Sequence, residues 1–111
     1  MTETTIAAVT TVGRADDARE LACAIVERRL AACAQVSRIE SFCTWQGKLQ
    51  NGDEYRVLFN MTESAWNASD VAILQLYPCE LLAIHAFAME RAFEPYRDRM
   101  VESEAPGGDQ T

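Results

Sequence analysis

The chain has 111 residues, with 10 Lys and Arg against 17 Asp and Glu, and a formal net charge of -7. At 49% hydrophobic and 24% charged it is too apolar for a disordered segment, and its length suits one domain that buries roughly two-thirds of its unfolded surface. The acidic balance excludes non-specific binding to nucleic acid or anionic membrane, which needs clustered cations. No apolar run approaches the roughly 20 residues of a spanning helix, and residues 1–5 lack the basic start of a secretory leader, so a cytoplasmic location is expected.

Residues 5–12 (TIAAVTTV) are rich in β-branched side chains and stop at Gly13, which predicts a strand and a turn. Asp16 and Asp17 then open a helix, where their charge complements the positive end of the dipole. Ala18, Leu21, Ala22, Ile25, Val26 and Leu30 recur at helical spacing as one apolar stripe, with Arg19, Glu20, Glu27 and Arg28 on the other side. From Ala34 the period becomes two. Ile39, Ser41, Cys43 and Trp45 share one face, and Phe42 and Thr44 take the other. Val36 is out of phase with Ile39, which predicts a bulge near Ser37 and Arg38. Asn51-Gly52 predicts a tight type I′ turn, because both residues tolerate positive φ. The returning strand alternates Tyr55, Val57, Phe59 and Met61 against Arg56, Leu58 and Asn60, completing a long β-hairpin.

Thr62, Glu63 and Ser64 are expected to cap a second helix carrying Trp66, Val71, Ile73, Leu74 and Leu76, ended by Pro78. Residues 81–89 carry few polar groups and no turn signal, which predicts an inner strand covered on both faces. Pro95 fits the first turn of a short helix through Tyr96, Met100 and Val101. Residues 103–111 (SEAPGGDQT) read as a frayed polar tail, leaving residues 1–102 as the domain. The order βαββαβ plus a terminal helix is the α+β ferredoxin-like sandwich, an antiparallel sheet with two helices on one face. Its other face, and the ends of the long hairpin strands, would stay open in a monomer. Apolar patches and free edges of this kind mark interfaces, so a homo-oligomer assembled through the sheet is expected.

Cys23, Cys33, Cys43 and Cys79 show no CxxC spacing and no neighbouring histidine, which argues against structural zinc; without a secretory context, disulfides are not expected either. The plain reading is four small, mostly buried thiols. His85, the single histidine, reads as a packed or interface residue rather than a ligand. A Cys-His hydrolase would need Cys79 beside His85, and the extended chain between them keeps them apart within one subunit. There is no Walker loop, GxGxxG or HExxH.

From Ile6 to Val101 the chain resembles the CutA family of divalent-cation tolerance proteins. The matching pieces are residues 27–33 (ERRLAAC), residues 45–48 (WQGK), Glu54 ahead of an apolar strand, Pro78 with Glu80, and Pro95-Tyr96 before the last helix. LAAC together with WxGK, set in the βαββαβ order, carries the resemblance. It implies a ferredoxin-like fold and a tight homotrimer, similar to the PII signalling proteins, whose long hairpins extend sheets between subunits. It also implies no catalytic activity, and a role tied to copper or other divalent metals or to small-ligand signalling.

The chain departs from the family pattern where the chemistry would be. The family usually has His-Pro-Tyr-Glu and then Pro-Glu after the second helix, where this chain has Tyr77-Pro78-Cys79-Glu80 and then Leu82-Ala83. The lysine common near the end of the third strand is Asn60. The strand-end cysteine implicated in copper binding in some members is Thr10, and the closing tryptophan is Arg99. Copper favours soft thiolate or imidazole ligands, which these positions have lost.

The resemblance leaves Cys33, Trp45, Lys48, Glu54, Cys79 and Glu80 as candidates lining intersubunit clefts, with copper, zinc or an organic ligand unassigned. Cys79 and Glu80 read either as a thiolate and carboxylate pair for a soft metal or electrophile, or as a buried thiol beside a solvated carboxylate. Trp45 either stacks on a planar ligand or packs in a subunit interface. Lys48 and Glu54 flank the expected Asn51-Gly52 turn and would pair across it. The leading expectation is a non-enzymatic trimer binding a metal or small ligand; the alternative is an anchoring trimer that recruits a partner protein.

Overall fold

The computed structural model describes residues 3–78 and 83–104. The first strand, β1 (Thr5–Val12), lies inside the sheet, with Ile6, Ala8 and Val12 buried on one face. Helix α1 (Ala15–Glu27) follows, with Asp16 and Asp17 in its first turn and Ala18, Leu21 and Ile25 buried. Its end explains the residues that follow. The Arg29 N–H donates to the Val26 carbonyl at 2.9 Å and the Leu30 N–H to the Ile25 carbonyl at 3.1 Å, while Arg29 takes φ 61°. This is a Schellman closure, here with arginine in the left-handed position, and it turns Leu30 and Ala31 into the core.

Strands β2 (Cys33–Trp45) and β3 (Lys48–Thr62) pair in one unbroken register from Cys33 opposite Asn60 to Trp45 opposite Lys48. Two expectations are corrected here. The turn is Gln46-Gly47, both at positive φ (52° and 77°) as a type I′ turn requires, and Asn51 and Gly52 lie within β3 opposite Phe42 and Ser41. A turn at Asn51-Gly52 would have set Phe59 opposite Thr44. The observed register sets Phe59 opposite Ala34 and Val57 opposite Val36, so burial of the body of the sheet overrides the stronger local turn signal. Nor is there a bulge: Val36 takes the helix side with Val57, and Ile39 takes the other face opposite Glu54. Gly47→Val, which forces a β-branched residue to φ 77°, is expected to lower stability by about 1–2 kcal/mol, read as a lower urea midpoint.

The sheet order is β2-β3-β1-β4, with every pair antiparallel. A 3-10 turn (Glu63–Ala65) leads into α2 (Trp66–Leu76), which buries Ser69, Ala72 and Ile73. The Thr62 side chain makes no cap bond to this turn; it meets Glu104 instead. Helices α1 and α2 cover one face, and Val57, Phe59 and Met61 alternate into the core beneath them as expected. Strand β4 (Ile84–Ala88) is an edge with four of its five residues exposed, not a covered inner strand. Its apolar residues Ile84, Ala86, Phe87 and Ala88 belong to a surface open within one subunit.

Helix α3 (Glu94–Ser103) carries Pro95 in its first turn, as expected. It crosses the face that the other helices leave open: Asn60, which alternates away from Phe59, donates to the Tyr96 hydroxyl at 2.8 Å, and Met100 is fully buried. Ser103 closes this helix and Glu104 is buried. Both belong to the segment read as a tail, whose residues 105–111 lie outside the described residues.

Candidate functional site

The site candidates distribute along an arm. Cys33 opens β2 opposite Asn60 and is half-buried. Trp45 and Lys48 face each other at the far end, across the two-residue turn. At about 3.3 Å per residue, Cys33 and Trp45 stand about 40 Å apart. Glu54 sits between, opposite Ile39, and accepts a hydrogen bond from the Ser41 hydroxyl at 2.8 Å. Lys48 and Glu54 both belong to β3 and do not pair across the hairpin, because the turn precedes both of them. The cross-strand pair that does form is Arg38 with Asp53, at 2.7 Å. Both are solvent-exposed, so they fix the geometry of the arm more than its stability. Within one chain the four described candidates mark the length of the arm, not a single site. Cys79 and Glu80 lie outside the described residues.

The thiols are not buried as expected: Cys23 and Cys43 are exposed and Cys33 is half-buried. Cys23 falls three residues after Glu20 and four before Glu27, on the polar stripe of α1, and Cys43 lies on the arm beyond the cover of the helices. Cys23, not among the candidates, lines a groove of about 420 Å³ together with Cys33 and Glu27, walled by Ala22 and Val26. Its position in the polar stripe was the available signal. A second groove of about 360 Å³ runs along the arm, where Ser41, Cys43 and Glu54 line it beside Gly13 and Gly52.

Among the described residues, no three His, Cys, Asp or Glu side chains converge on one point. Thr10 is buried, and its hydroxyl donates to the Ala83 carbonyl at 2.9 Å; a hard oxygen engaged with the backbone replaces any soft ligand there. His85 is exposed and packs edge-on against Phe87, with ring centroids 5.2 Å apart at 83°. The donors described in one chain therefore do not fit a copper centre.

What the fold leaves unsatisfied is its edges. None of the 13 residues of β2 is fully buried. Phe42 and Trp45 are each 63% exposed, Leu49 72% and Phe87 60%. Buried polar atoms without partners point the same way, since such atoms are normally bonded. Among the described residues, Thr5 Oγ1 on β1, Asp70 Oδ1 on α2 and Arg97 Nε on α3 have none, and burial raises the Asp70 carboxyl above its ordinary range.

Comparison with known proteins places these features. The model of the CutA1 divalent ion tolerance protein family matches residues 6–103. The mouse protein CutA is 31% identical over 80 residues, 71% of this chain and 45% of that protein, so the match spans just under half the length of that relative. The divalent-cation tolerance protein CutA of Thermococcus kodakarensis is 25% identical over 85 residues, covering 77% of this chain and 82% of that one. The solved structure of CutA from Synechococcus elongatus superposes with a TM-score of 0.86 at 28% identity, covering 94% and 93% of the two chains. No helix among the described residues is long and apolar enough to cross a membrane.

Proposed function

The chain belongs to the CutA1 divalent ion tolerance protein family, and from that membership we propose that it works without catalysis, as a homotrimer holding a divalent metal ion or small ligand between subunits. The observation that carries this reading is the pair of free sheet edges, β2 and β4, flanked by exposed Phe42, Trp45, Leu49 and Phe87. Free edges and apolar faces of this extent are stabilised by pairing with another chain. Assembly brings the arm of one subunit against the body of the next, so that Trp45, Lys48 and Glu54 approach another subunit's Cys33. The orphaned Asp70 and Arg97 atoms gain partners in the same step. Two exposed free thiols, Cys23 and Cys43, suit the reducing cytoplasm.

Equilibrium dialysis of the trimer against copper(II), zinc(II) and common nucleotides tests the ligand half of this reading. Retention of one of them, weakened in Cys79→Ala and Glu80→Ala, is the expected result. A trimer that retains none favours a second reading, an anchoring trimer that recruits a partner protein. The lack of three converging metal donors among the described residues supports that alternative.

A further inference from the structure

Helix α3 is fastened to the open sheet face along its whole length. Near its start the Tyr96 hydroxyl accepts from Asn60, and in its last turn Met100 is fully buried. Two contacts close its end. Arg29 Nε donates to the Ser103 carbonyl at 3.2 Å. Glu104 receives the Thr62 backbone N–H at 2.7 Å and also the Thr62 hydroxyl. Thr62 Oγ1 lies 3.0 Å from Ser64 Oγ as well, a contact in which either can donate. Among the described residues, Glu104 is the only ionisable side chain in the buried class, and the function proposed above makes no use of it.

Among the described residues, no cation faces that carboxyl. Of the charged groups on the elements around it, Glu3 ahead of β1 adds repulsion. Glu63 on the 3-10 turn is exposed, and Arg29 engages the Ser103 carbonyl instead. Burial first, and Glu3 in smaller measure, hold the Glu104 carboxyl above its ordinary range, against the opposing effect of the two Thr62 bonds.

We propose that α3 is a strap tightened by acid: neutral Glu104 seats on Thr62 and holds the helix across the open sheet face, and ionised Glu104 lets it lift. The neutral carboxyl keeps both bonds. Its carbonyl oxygen accepts the Thr62 N–H, its hydroxyl donates to Thr62 Oγ1, and Thr62 donates onward to Ser64. The carboxylate also accepts two bonds, but it must shed water and face Glu3 with no cation beside it. A carboxyl whose folded-state value is raised binds its proton more tightly in the docked state than when free. Docking is therefore strongest below the value of the free side chain and weakens as pH rises through the raised one.

Amide hydrogen exchange of the 111-residue chain, followed in residues 94–104 from about pH 4, below the ordinary glutamate range, to about pH 8 and corrected for intrinsic exchange, tests the strap. Protection in this segment is expected to fall several-fold as pH rises. Glu104→Gln, uncharged at every pH and able to make the same two bonds, is expected to keep high protection throughout. Wild-type protection that stays constant or rises with pH overturns the proposal, as does a Glu104→Gln variant that follows the wild-type curve. A loss shared equally by β1 and β3 also counts against it, since that reports opening of the whole domain.

Discussion

Phe59→Ala is expected to lower the unfolding free energy by about 3–5 kcal/mol, the range for removing a buried aromatic side chain from a core. Phe59 is fully buried on β3 beneath the helices. Its partners directly across the sheet are Ala34 on β2 and Ala8 on β1, and Ala8 in turn faces Ala86 on β4. One large side chain therefore fills a row otherwise built of alanines. Its neighbours in that row are too short to close the cavity left behind, which places the cost high in the range. Urea unfolding followed by circular dichroism, at matched protein concentration, measures it. A loss under about 1 kcal/mol would contradict this account of the core.

Phe42→Asp is expected to act on assembly instead. Phe42 lies on the arm opposite Asn51 and diagonal to Leu49, which faces Thr44 two pairs nearer the turn. Both are largely exposed within the subunit, so the aspartate meets water in a free chain and an apolar surface in the proposed trimer. Burying an unpaired carboxylate there weakens association by about a hundredfold or more, at about 1.4 kcal/mol per tenfold. Sedimentation at micromolar concentration is expected to show folded monomers with unchanged circular dichroism. A variant that stays trimeric would place Phe42 outside the interface.

These two residues also show how far the chain can be read without its structure. The inward alternation of Val57, Phe59 and Met61 was legible because period-two burial is a local pattern, and so was the stripe of α1. The turn was not. Asn-Gly is the stronger hairpin signal residue by residue, and Gln46-Gly47 prevails only because it aligns Ala34 and Val36 with Phe59 and Val57. That is a long-range condition which no short window contains. β4 misled for a related reason: an apolar run looks the same whether its own chain or another covers it. Among the candidates, Lys48 was read as a neighbour of a turn and is, though of a different one, with Trp45 opposite it. Cys33 and Glu54 stand well apart along the arm, with no spacing rule in the sequence to join them.

Native mass spectrometry of the purified protein at micromolar concentration tests assembly through the free edges of β2 and β4. A species at three times the 12.4 kDa chain mass is the predicted result. A stable monomer would leave β2, β4 and the apolar arm exposed in solution and would contradict the account.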